Sequence, residues 1–179
     1  MAAAQEGHQQ TVELLINVGA NVNLKNKKGE TALMAAAQEG HQQTVELLIN
    51  AGADLKLRDN DGMTALVAAA HLGHKETVDV MINAGADLKL RDNEGKTAWM
   101  YAVEKHYLKI IDLLKAFGLK DDYSKIFIKA ADSDDLRTIA TLLYAGVDVN
   151  VQDNEGETAL MRASDKGRLE VVKFLLKEN

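Results

Sequence analysis

The sequence predicts an all-α solenoid of stacked helix-turn-helix units joined by extended fingers, and three observations predict it. All 13 glycines fall into three phases of one 33-residue period. Each period holds two short stretches whose apolar residues recur at helical spacing. Alanine and leucine abound while aromatics are only 4% of the 179 residues, which suits helices packed through small side chains.

The glycine phases set the units. One series is Gly19, Gly52, Gly85, Gly118 and Gly146; a second is Gly29, Gly62, Gly95 and Gly156; a third is Gly7, Gly40, Gly73 and Gly167. In the unit 26–58, TALMAAAQE predicts a helix with Thr31 as its N-cap and Leu33, Ala36 and Ala37 on one face. Gly40 and His41 end it. A second helix follows over QTVELLIN, with Val45, Leu48 and Ile49 inward and Gly52 at the left-handed position that closes it. The segment ADLKLRDNDG then predicts an extended finger or hairpin. Helices under about 12–15 residues are marginal alone, so stacking must supply the core. The period divides the chain into about six units, 1–25 (partial), 26–58, 59–91, 92–124, 125–152 and 153–179, read as one domain over 1–179.

Composition narrows the function classes. At 46% hydrophobic and 27% charged the chain has the material for a core, and a formal charge of −6 argues against a nucleic-acid binder, which would carry a basic stripe. There is no cysteine, hence no disulfide framework and no thiolate metal site. The start MAAAQEGHQQ has no basic and apolar leader pattern, and no run approaches the about 18 apolar residues of a membrane span. The expectation is a monomeric cytoplasmic protein without a membrane partner, with a secreted effector as the alternative location.

The residues D-x-x-G-x-T-A-L-x-x-A-A-x-x-G-H at 59–74 and V-x-x-x-I-x-A-G-A-D at 78–87 resemble the ankyrin repeat, and the resemblance covers essentially the whole chain. The family's T-P-L-H stands here as T-A-L-M at 31–34, T-A-L-V at 64–67, T-A-W-M at 97–100 and T-A-L-M at 158–161. Proline and histidine are thus absent from the motif, and the threonine is expected to cap without an imidazole partner.

The lattice breaks once. Gly118 to Gly146 is 28 residues, and LKDDYS at 119–124 replaces the longer finger. The aromatics gather there: Trp99, Tyr101, Tyr107, Phe117, Tyr123, Phe127 and Tyr144, with only Phe174 outside. Trp99 and Phe127 occupy the position of Leu33 and Leu66 and are expected in the core. Tyr101 occupies the position of Ala35 and Ala68, where it reads either as an exposed contact residue or as a ring covering a gap between neighbours. Separately, AAAQEGHQQTVELLIN stands at both 2–17 and 35–50, and AGADLKLRDN at both 51–60 and 84–93. Identity at surface positions implies a recent tandem duplication or an engineered chain.

Catalytic, cofactor and metal patterns do not assemble. Gly95-Lys96-Thr97 lacks the earlier glycine of a phosphate loop, since Leu90 stands there, and the turn at 59–62 lacks a calcium loop's later carboxylate. His71 and His74 have no third ligand nearby, and Asp132, Asp134 and Asp135 read as a solvated face. The expectation is therefore a non-enzyme without cofactor or metal.

What the resemblance implies is a scaffold that binds a partner protein of unidentified kind through finger tips and first helices. Carried over by position, the contact residues are Lys27, Lys28, Glu30, Gln38 and Glu39 in the second unit, and Asn60, Asp61, Met63, His71 and Leu72 in the third. The fourth gives Asn93, Glu94, Lys96, Tyr101, Glu104 and Lys105, the fifth Asp132 and Ser133, and the sixth Asn154, Glu155, Glu157, Asp165 and Lys166. Met63, Leu72 and Tyr101 would form the central patch. The alternative function is a targeting or substrate-recruiting segment of a larger enzyme or effector, because the sequence starts inside a helix and ends at LLKEN.

Overall fold

A computed structural model describes residues 1–117 and 123–179. The described residues form twelve helices: α1 Ala2–Gln5, α2 Gln9–Asn17, α3 Ala32–Gln38, α4 Gln42–Asn50, α5 Ala65–Leu72, α6 Lys75–Asn83, α7 Ala98–Glu104, α8 Leu108–Ala116, α9 Ser124–Asp132, α10 Leu136–Tyr144, α11 Ala159–Asp165 and α12 Leu169–Lys177. They belong to two compact units, Met1–Leu119 and Lys120–Asn179. The division falls where the glycine spacing shortens; Gly118 and residues 119–122 of the shortened finger lie outside the described residues.

In the first unit α1, α3, α5 and α7 pack in succession, as do α2, α4, α6 and α8. In the second, α9 packs on α11 and α10 on α12. The alanines explain the close approach of first helices: Ala36, Ala37, Ala69, Ala70 and Ala102 are wholly buried, and a larger residue at these points would push neighbouring backbones apart. Leu33, Leu66, Trp99 and Phe127 fill the space beside them. The large rings are core residues, as expected from their phase.

Each full first helix of the first unit starts with a threonine in extended conformation whose Oγ1 accepts the amide three residues on, Met34 for Thr31, Val67 for Thr64 and Met100 for Thr97, each at 3.3 Å. Thr158 does the same for Met161 at α11. The caps therefore stand without imidazole help. Gly52 ends α4 at φ +84°, where its amide and that of Ala53 reach back to the carbonyls of Ile49 and Leu48.

The fingers are tighter than the alternating sequence suggests. Among the described residues they form no paired strand, only an isolated antiparallel bridge between Gln152 and Thr158. Each is a tight turn closed by two backbone bonds and filled by a side-chain acceptor. Asp59 Oδ1 accepts the amides of Asp61 and Met63, and Asp92 Oδ1 those of Glu94 and Lys96. Asn26 and Asp153 repeat the arrangement. A carboxylate or amide at the first turn position replaces the ladder that a longer hairpin would need.

Candidate protein-interaction surface

The residues expected to contact a partner divide into those that hold the array together and those left free. Asn60 and Asn93 belong to the first group. The Asn60 amide group donates from Nδ2 to the Lys27 carbonyl at 3.1 Å, and Asn93 Nδ2 donates to the Asn60 carbonyl at 2.9 Å. Their backbone amides reach the carbonyls of Lys28 and Asp61. These asparagines clip one finger to the next, so their amides are spent inside the protein.

His71, Glu94, Lys96, Tyr101 and Glu104 come together. Tyr101 is only 7% exposed, which corrects the reading of it as an exposed contact residue. The His71 ring lies 4.5 Å from it centroid to centroid, and Lys96 Nζ lies 5.0 Å from the ring centre. Its hydroxyl donates to Asp92 Oδ2 at 2.5 Å. Asp92 is therefore shared, one oxygen holding the finger turn and the other holding α7. Lys96 in turn bridges Glu104 at 2.9 Å and Glu94 at 3.3 Å.

Charge and burial explain the titration of the cluster. Burial works to raise the Asp92 carboxyl, but the Tyr101 hydroxyl, the amides of Lys96 and Glu94 and the Lys96 charge outweigh it and hold it below the ordinary carboxylate value. Burial and the Asp92 carboxylate push the Tyr101 hydroxyl well above its ordinary value, so it stays a donor. Glu104 holds the Lys96 ammonium above its usual range, aided by Glu94 against burial. Burial, with the charge of Lys105 beside it, lowers the His71 imidazole and favours the neutral ring.

The free surface around this cluster is mixed in character. Leu72 follows His71 at the end of α5 and is 48% exposed, while Met63 in the preceding finger is half-buried. Asp61, Glu94, Glu104 and Lys105 are exposed. Asp132 and Ser133, in the second compact unit, end α9: the Asp132 carbonyl accepts from Arg168 Nε at 3.1 Å, and the Ser133 hydroxyl donates to the Lys129 carbonyl at 2.8 Å. Ser133 thus closes its own helix.

Two arrangements escape a reading by sequence. Arg162 stands nine residues after Asp153 as Tyr101 stands nine after Asp92, and its guanidinium meets Asp153 at 3.3 Å, Glu155 at 2.8 Å and Glu157 at 2.5 Å. One oxygen from each of the three carboxylates lies within 4.8 Å of the others, and the single guanidinium bridges all three. The shared nine-residue spacing was the available signal. The second is the role of the glycine-histidine pair: His41 Nε2–H donates to the Gln5 carbonyl at 2.9 Å and His74 Nε2–H to the Gln38 carbonyl at 2.8 Å. Each ring ties its unit to the one before. The expected solvated acidic face is also partly structural, since Asp135 caps α10 by accepting the Thr138 amide at 3.0 Å.

No described helix is long and apolar enough to cross a membrane. A family model described as ankyrin repeats (3 copies) matches residues 1–59 and 51–125, and one described as ankyrin repeats (many copies) matches residues 127–176. The capped helix pairs, the clipped fingers and these matches place the chain in the ankyrin repeat family, whose domains are generally protein–protein interaction modules and typically non-catalytic.

Proposed function

We propose that the third and fourth units bind a partner protein through the finger tips and the ends of α5 and α7. The observation that carries this reading is Leu72, a large apolar side chain 48% exposed next to the cluster of His71, Tyr101, Asp92 and Lys96. An exposed leucine costs solubility, and it follows directly on His71, whose ring lies against Tyr101. Met63 adds adaptable apolar surface, and Asp61, Glu94, Glu104 and Lys105 supply a polar rim. A stable partner covers about 800 Å² on this side, which several adjacent units can present.

The test is affinity. Peptides selected from a displayed random library against the 179-residue chain provide the probe. Leu72→Ala combined with Met63→Ala should weaken the selected peptides by about thirtyfold, the loss expected of a binding hot spot. Glu76→Ala, on the exposed face of α6, should leave affinity unchanged. Selected peptides that bind the double variant as tightly as the parent would remove this placement.

A further inference from the structure

The row of residues at the C-terminal ends of the first helices changes character from unit to unit. Glu39, Leu72 and Lys105 stand 33 residues apart at the ends of α3, α5 and α7, which pack in succession. Glu39 is the C-cap of α3 and Lys105 that of α7, and both are exposed, as Leu72 is. Neither charge has an ion pair among the described residues. Glu104 does not cancel the Lys105 ammonium, because Lys96 holds it at 2.9 Å. The row therefore presents an open carboxylate, an apolar side chain and an open ammonium, one to a unit. Glu6, at the end of α1, extends its acidic half.

A second row has the same order. Nine residues earlier in each unit stand Glu30, Met63 and Lys96, all half-buried. Their charges are partly used within the protein: Glu30 accepts from Asn26 Nδ2 at 2.7 Å, and Lys96 meets Glu94 and Glu104. They still place an acid in the second unit, an apolar side chain in the third and a base in the fourth. The fingertip row runs the other way. Lys28, Asp61 and Glu94 are exposed, with the base in the second unit and acids in the third and fourth. A segment matched to the helix ends would meet like charges if it shifted to the fingertips, which fixes its place across the surface.

We infer that the partner segment is an extended stretch of protein chain carrying a basic, an apolar and an acidic residue at about three-residue spacing. Packed helices lie about 8–10 Å apart, the reach of about three residues of extended chain. The basic residue pairs with Glu39, the apolar one covers Leu72 and the acidic one pairs with Lys105. Glu39 sits at the negative end of the α3 dipole, so a cation brought there relieves an unfavourable placement. Charge order sets specificity more than affinity, since exposed pairs contribute little each while like charges in contact repel. This inference rests on the reading of Leu72 as part of the binding surface and adds the chemistry of what covers it.

Three fluorescein-labelled synthetic peptides, titrated with the 179-residue chain at low salt and read by fluorescence polarisation, test it. Each has a central leucine joined to its two ends by glycine-serine pairs; the ends are arginine and glutamate, two arginines, or two glutamates. The parent should bind the mixed peptide about tenfold more tightly than either like-charged one. Lys105→Glu should turn the preference to the two-arginine peptide. Glu39→Lys, at a separate exposed position, should turn it to the two-glutamate peptide. Circular dichroism verifies that each variant folds, and either one alone carries the test. An unchanged ranking of the peptides in both variants overturns the inference, and so does a mixed peptide that shows no saturable binding to the parent. If Leu72→Ala weakens library-selected peptides while the charge variants rank the synthetic ones as the parent does, the surface stands and the charge order falls. Mixed-peptide affinity that is unchanged in Leu72→Ala would remove the surface and this inference with it.

Discussion

Helices α5 and α7 sit one period apart under the same threonine cap, and their sequences ALVAAAHL and AWMYAVE fill the same space in opposite ways. In α5 the core position is Leu66 and the next inward position Ala68; in α7 they are Trp99 and Tyr101, all four buried. The fingers before them are equivalent, with Asp59 and Asp92 each accepting two turn amides. Only the second carboxylate oxygen differs. Ala68 offers it nothing, whereas Tyr101 donates a hydroxyl that fastens the finger to the helix. In the second compact unit Arg162 fastens Asp153 with a charge instead. Caps and turns are thus the fixed part of the repeat. The residue nine after the finger aspartate decides how firmly the finger is held.

This comparison can be broken at several points. Trp99→Ala should cause the largest loss, about 3–5 kcal/mol in urea unfolding, because the ring is wholly buried and its neighbours already pack closely. A loss under about 1 kcal/mol would mean that α7 is not packed as α5 is. Tyr101→Phe should cost about 1.5–3 kcal/mol, the range for a hydrogen bond to a charged acceptor, while leaving the ring against His71. Equal stability of the two proteins would show that the finger needs no fastening.

A smaller effect tests the second helices. The Thr77 hydroxyl on α6 is buried with no hydrogen-bond partner among the described residues, and its counterpart on α8 is the aliphatic Ile110. Thr77→Val should therefore stabilise the chain by about 1 kcal/mol, read from the urea midpoint. Destabilisation would reveal a hidden partner for the hydroxyl.

The smallest effect concerns pH. Asp92 titrates below the ordinary carboxylate value when folded, so its contribution is fully present above the unfolded value and is lost as pH falls through the folded one. Tyr101→Phe removes one cause of the depression. The urea midpoint of the variant should consequently fall less steeply than that of the parent as pH drops below about 4. Parallel curves would mean that the hydroxyl does not act on Asp92.

The sequence made the units, their caps and the core rings legible because each follows from period and residue type. Thr31, Thr64, Thr97 and Thr158 cap where a threonine before an apolar stripe should, and Trp99 and Phe127 are buried where Leu33 and Leu66 are. Side-chain direction at the fingers was not legible. Asn60 and Asn93 could turn to solvent or to the neighbouring finger, and only the 33-residue approach of two turns makes the carbonyls of Lys27 and Asn60 available to them. Tyr101 posed the same ambiguity, since the acceptor of its hydroxyl, Asp92, already had a role in the turn. Of the expected contact patch, Leu72 stays open and Met63 half-open, while Tyr101 is buried.

The claim that the third and fourth units present a protein-binding surface around Leu72 is best tested by amide chemical-shift mapping with a library-selected peptide. The account predicts shifts at Met63, Leu72, Glu104 and Lys105, with α6 and α8 quiet. Shifts confined to α6 and α8, with Leu72 unmoved, would contradict it.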